Sequence, residues 1–121
     1  MTLSKQSGLK PELILKIQTA LSHFPAIDSV ILYGSRAKGN YRVGSDIDLT
    51  IKTQGKVDTN LLFQVIGAID DLELIYQFDI SLFDHISNES LVEHINRVGV
   101  SFYNAQQFKV LYPKECAPNK H

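Results

Sequence analysis

The chain has 121 residues, 44% apolar and 21% charged, and 12 Lys plus Arg against 13 Asp plus Glu leave a formal charge of −1. A chain of this size buries about two-thirds of its unfolded surface around one core, which excludes a catalytic domain joined to a separate substrate domain. The sequence pI of about 6.4 argues against the basic surface of sequence-independent nucleic-acid binding, so nucleic acid is not the expected partner.

From Pro11, the residues Leu13, Ile17, Ala20, Leu21 and Phe24 recur at helical spacing, and proline suits a first helical turn because its missing N–H would have no partner there. This predicts an amphipathic helix ending near Pro25. Asp28 to Tyr33 is an apolar run stopped by Gly34, and Asp46 to Lys52 alternates polar and apolar; both read as strands. Asp58 is a good N-cap for a helix with Leu61, Leu62, Val65, Ile66 and Ile69 along one stripe, fading by Leu74. Gln77 to Phe83 alternates again, with Phe78, Ile80 and Leu82 opposite Gln77, Asp79 and Ser81. A last helix is expected from Ser87, as N-cap, through Leu91, Ile95 and Val98 to Gly99. The alternation predicts an α/β (α+β) domain with helices on a small sheet, and the short connection from 34 to 45 permits either strand direction.

One domain spanning 1–121 is expected, with its core at about 10–103, a C-terminal extension at 104–121, and flexible ends at 1–8 and 113–121. Cys116 is the single cysteine, so no disulfide framework forms within the chain. The lone cysteine and an N-terminus without a signal-like apolar run fit the cytoplasm, and no window approaches the roughly 18 apolar residues of a membrane span, so an integral membrane protein is not expected. The sequon at Asn88, Glu89 and Ser90 reads as chance in that setting.

The charge is unevenly spread. Residues 34–45 carry Arg36, Lys38 and Arg42 with no acid, whereas residues 46–93 carry ten acids against Lys52 and Lys56. At the join, Gly34-Ser35 is followed after ten residues by Asp46-Ile47-Asp48. A glycine directly after a buried strand lets the backbone turn sharply and approach a ligand, and a following helical turn aims free N–H groups at an anion. Ser35 adds a hydroxyl, and Arg36 is the first choice among the nearby cations to neutralise phosphate. The segment is not a P-loop, because Asn40 and Tyr41 stand where Lys and Ser or Thr are required.

Asp46 and Asp48, two apart on a strand, point to one face with Cα atoms about 6.6 Å apart. Carboxylates held so closely repel unless a cation lies between them, and oxygen ligands of this kind suit Mg²⁺ bridging to a nucleotide's phosphates. Asp79 joins the cluster if its strand neighbours that of Asp48, as a third metal ligand or as the group that accepts a proton from an attacking hydroxyl. Blander roles exist for each residue: an exposed strand face for Asp46 and Asp48, a turn for Gly34, an N-cap for Ser35, an edge-strand charge for Asp79. Tyr33 reads as core, and the four histidines lack zinc-like spacing.

Gly34-Ser35, Asp46-x-Asp48 and the later strand bearing Asp79 together resemble the nucleotidyltransferase superfamily of the DNA polymerase beta type. Within it, the chain is similar to the minimal nucleotidyltransferases (MNT proteins) that prokaryotes encode beside HEPN-domain partners in toxin–antitoxin modules. The likeness spans roughly residues 10 to 103, including the closing stretch Asn96 to Tyr103. It implies a polymerase beta-like fold with a small mixed sheet flanked by helices. It also implies Gly34 and Ser35 on the triphosphate, two Mg²⁺ ions on Asp46 and Asp48, and Asp79 as third carboxylate and base. The implied reaction is attack by a hydroxyl on the α-phosphorus of a nucleoside triphosphate, with pyrophosphate leaving. The resemblance further implies an antitoxin that moves AMP from ATP to a hydroxyl, a Tyr side chain, of a HEPN-type toxin encoded nearby. The alternatives are a binding antitoxin with a weak or vestigial site, and a small-molecule or RNA nucleotidyltransferase, although such relatives use additional domains that this chain is too short to supply. Its shortness predicts a partner and leaves both a homo-oligomer and a hetero-oligomer open.

Overall fold

A computed structural model describes residues 2–113. The expectations placed on Cys116, His121 and the rest of 114–121 lie outside the described residues. Helix α1 (Leu3–Ser7) and α2 (Pro11–Leu21) lead into β1 (Ile27–Tyr33) and a single turn, α3 (Ser35–Lys38). Then come β2 (Ile47–Thr53), α4 (Thr59–Asp70), β3 (Phe78–Leu82) and a 3₁₀ turn (Phe83–His85). The chain continues through α5 (Glu89–Val98), β4 (Val100–Asn104) and α6 (Ala105–Leu111).

The four strands form one mixed sheet in the order β3-β2-β1-β4. β1 runs antiparallel to both β2 and β4, and β2 runs parallel to β3. Alternation sorts the side chains by face. Val30 and Leu32 lie opposite Ile51 and Leu49, which in turn pair with Leu82 and Ile80. That face is apolar, and Val30, Leu32, Leu49 and Ile51 are buried with Ile17 and Leu21 of α2 and Val65 and Ile69 of α4. The other face carries Tyr33, Asp48 and Asp79 in one row and Thr50 and Ser81 in the next. There α5 packs on β1, with the Tyr33 and His94 rings edge to face at 6.3 Å between centroids.

Local rules account for most element ends. Asp58 caps α4 by accepting from the Asn60 N–H at 3.0 Å. The cap of α5 is Asn88 rather than Ser87: its side-chain Oδ1 accepts from the Leu91 N–H at 3.1 Å. Gly99 ends α5 in an extended conformation, and it is glycine because a Cβ would run into the Ile95 carbonyl and the Ile31 side chain.

Three elements depart from the sequence expectation. Residues 1–8, expected as a flexible end, contain α1, capped by Thr2 and carrying the fully buried Ser7. β4, unassigned in the sequence, pairs with β1 across a register shift between Val30 and Ile31. The stretch from 104, expected as an extension beyond the core, begins with Asn104 closing β4 and accepting from the Gln107 N–H at 3.0 Å, which starts α6. Phe108 of α6 is 4% exposed and its ring lies 5.6 Å from that of Tyr103, so this helix belongs to the core.

Candidate functional site

β1 ends at Tyr33, and the next residue turns the chain. Gly34 has φ 77° and ψ −157°, a backbone that side chains strain to adopt. A Cβ there would collide with the Asp48 carboxylate oxygen and stand 3.2 Å from its Cγ. The glycine and the second aspartate of the motif are therefore one spatial feature. The turn α3 begins at Ser35, with the Lys38 N–H donating to the Gly34 carbonyl at 3.1 Å. The Ser35, Arg36 and Ala37 amides come before Lys38, the first intrahelical donor, so the helix itself does not use them. Gly39, with φ 83°, ends the turn by donating to the Ser35 carbonyl.

Parallel pairing of β2 with β3 sets Asp48 beside Asp79. Asp46 lies just outside the strand, because β2 begins at Ile47 rather than at Asp46 as expected. Its position is set on both sides. Before it, Arg42 to Ser45 form a turn, with the Ser45 N–H donating to the Arg42 carbonyl at 2.9 Å and the Arg42 N–H donating to Ser45 Oγ at 2.8 Å. After it, the Ile47 N–H donates to the Gln77 carbonyl at 2.9 Å. Asp46 and Asp79 are exposed, whereas Asp48 is half-buried.

The electrostatics follow from this crowding. Burial first, then the charges of Asp79 and Asp46, push the Asp48 carboxyl up from 3.8 to about 6. Tyr33, opposite Asp48 in the β1–β2 register, is raised above the ordinary tyrosine range by burial and then by Asp79, with Asp48 adding to the rise and a hydrogen bond with Ser81 opposing it. Among the described residues no three acidic, imidazole or thiol side chains form a ready-made metal cage. The donors present nonetheless fit a divalent cation. They are hard carboxylate oxygens, their mutual repulsion is what such an ion relieves, and Gly34 keeps the space beside Asp48 free of a side chain.

Arg36 is not where the sequence suggested. Its side chain is 3% exposed and is turned into the domain, where its polar atoms meet backbone carbonyls. Nε donates to the Ser45 carbonyl at 3.1 Å and an Nη donates to the Ser7 carbonyl at 2.8 Å. The guanidinium carbon lies 5.0 Å from the Tyr41 ring centroid and 5.1 Å from that of Tyr76. The exposed cations near the loop are Lys38 and Arg42.

Residues missed in the sequence are Tyr33, read only as core, and the pair Thr50 and Ser81 below the carboxylates, where Ser81 Oγ donates to Thr50 Oγ1 at 3.0 Å. Period-two counting from Asp48 and Asp79 marks Thr50 and Ser81 as facing the same way. Tyr33 needed the antiparallel register.

The family described as "Polymerase beta, Nucleotidyltransferase" matches residues 15–108. A toxin–antitoxin structure with AMP-PNP superposes with a TM-score of 0.60 at 18% identity, over 84% of this chain and 80% of that one. A tri-AMPylated HEPN toxin of Shewanella oneidensis in complex with MNT antitoxin gives 0.52 at 17%, over 83% and 74%. A nucleotidyltransferase described as putative from Sulfolobus solfataricus gives 0.51 at 20%, over 78% and 79%. At such identities these likenesses establish the shared fold. No curated protein sequence matches the chain.

Proposed function

The chain belongs to the polymerase beta nucleotidyltransferase family, and from that premise we propose that it transfers AMP from ATP to a tyrosine hydroxyl of a HEPN-type toxin encoded beside it, acting as that toxin's cytoplasmic antitoxin. The observation that carries the chemistry is the contact between the motif's two halves: Gly34 lacks a side chain where Asp48 stands, and Asp79 is Asp48's neighbour in the ladder.

In this reading Gly34 and Ser35 receive the triphosphate, whose charge meets the unused amides of the first turn of α3. Asp46, Asp48 and Asp79 would hold two Mg²⁺ ions. Bound there, Mg²⁺ supplies charge neutralisation for the entering and departing oxygens. Asp79, exposed at the edge of the cluster, accepts the proton of the incoming hydroxyl. The hydroxyl oxygen forms a bond to the α-phosphorus, the bond from that phosphorus to the bridging oxygen breaks, and pyrophosphate carries away the electron pair. Tyr33 closes the inner wall beside Asp48, and α5 covers the sheet next to it.

The acceptor rests on the structural neighbours. One is a complex in which a HEPN toxin carries AMP groups beside an MNT antitoxin, and another holds an ATP analogue. Incubation of the purified chain with Mg²⁺, α-labelled ATP and the product of the adjacent gene tests the proposal. Label should move to that product and should depend on Asp46 and Asp48. Silencing of the partner by a chain with both changed to Asn would instead identify binding as the mechanism.

A further inference from the structure

Asp46 is exposed and outside the β2 ladder, so its aim depends on the peptide groups either side of it. The Ser45 carbonyl is held by Arg36, and the Ile47 N–H by the Gln77 carbonyl, one residue beyond Tyr76. Arg36 therefore meets the approach to β2 through Ser45 and Tyr41, the approach to β3 through Tyr76, and the end of α1 through Ser7. The far side of this stack is braced as well. Gly8 has φ 74°, and a Cβ on it would strike the Tyr41 ring, while the Gln6 side chain donates to the Ala37 carbonyl inside α3.

We infer that Arg36 is a positioning residue: from behind the loop it sets the aim of Asp46, and through Tyr76 that of Asp79, without touching the nucleotide. The inference rests on the nucleotidyl-transfer reading of the site. Its physical basis is the planar guanidinium fork, which donates to two carbonyls from fixed directions while the Tyr41 and Tyr76 rings lie 5.0 and 5.1 Å from its central carbon. A lysine keeps the charge but gathers its donors on one nitrogen, which cannot span two carbonyls that Nε and Nη hold separately, so one of them loses its partner.

The test is binding of a non-hydrolysable ATP analogue to the full chain across a Mg²⁺ titration, for the unaltered protein, Arg36→Lys and the milder Tyr76→Leu. Loss of support behind a metal ligand lowers metal affinity by about 10-fold or more, so Arg36→Lys should raise the Mg²⁺ needed for half-maximal binding by about that factor while binding in chelator stays unchanged. Tyr76→Leu removes one ring from the stack and should shift the same quantity the same way by a smaller factor. It carries the test alone if Arg36→Lys does not fold, and an unchanged Mg²⁺ requirement in folded Tyr76→Leu would then overturn the inference. Weaker binding in chelator with an unchanged Mg²⁺ requirement in Arg36→Lys would also overturn it, because that pattern means a direct phosphate contact. Failure of the unaltered chain to bind the analogue at any Mg²⁺ concentration would overturn the functional reading itself, and the inference with it.

Discussion

The two faces of the sheet use the same strands for opposite ends. On one face Val30, Leu32, Leu49 and Ile51 are each at most 1% exposed, and their burial is a direct gain in stability. On the other, Asp48 and Asp79 stand side by side and Tyr33 is buried against them, an arrangement that costs stability while no cation is bound. Consecutive residues of β2 thus alternate between holding the fold together and straining it. A small domain can maintain such a site because the first face is continuous with α2 and α4 behind it. Substitutions should separate the two faces cleanly.

The largest effect is expected at Asp48. Asp48→Asn removes a carboxylate that is proposed to hold metal and should lower nucleotide transfer by on the order of 10³-fold, the scale of losing a principal electrostatic group. It should also raise the melting temperature at neutral pH, because the group it replaces is ionised there against its neighbours. A variant both inactive and less stable would break the contrast. Leu49→Ala, one residue along, should do the reverse. It leaves the carboxylates in place but costs about 2–5 kcal/mol through lost burial and a cavity, measured by denaturant unfolding. Transfer measured well below its melting point should stay close to that of the unaltered chain.

Gly34→Ala sits between the faces. The left-handed φ and the collision with the Asp48 carboxylate should cost about 1–3 kcal/mol and reduce transfer together, as read by unfolding and activity on one preparation. The smallest effect concerns pH. Asp48 has a folded-state value near 6 against 3.8 for the free group, so the native state holds the proton more tightly. Its contribution is then most favourable below 3.8 and is lost as pH rises through about 6. In chelator the melting temperature of the unaltered chain should fall over that range relative to Asp48→Asn, and parallel pH profiles would show that the repulsion is not felt.

The same contrast explains what could be read from the sequence. The glycine-serine pair and the two aspartates lie within a contiguous stretch, and their spacing can be read whatever packs around them. The strand faces followed from period two, since one buried side forces alternation. What escaped was settled by distant partners. β4 is a short run following directly on a helix, and its strand character comes from pairing with β1 far earlier in the chain. α1 is held by Arg36 on its Ser7 carbonyl and by its Gln6 side chain on the Ala37 carbonyl, contacts that span 29 and 31 residues. Arg36 looked like a phosphate ligand because it follows Ser35, yet helical geometry turns it inward on the first turn, toward carbonyls that no motif marks. Ser87 and Asn88 are both good caps by type, and only the backbone chose between them.

The most direct test of the account is transfer of α-labelled AMP from ATP to the co-expressed neighbouring protein, with mass spectrometry locating the modified residue. A mass increase of one AMP is expected on a tyrosine of that protein, present with the unaltered chain and absent with Asp46 and Asp48 both changed to Asn. An unmodified partner that is nevertheless silenced equally by both forms of the chain would contradict it.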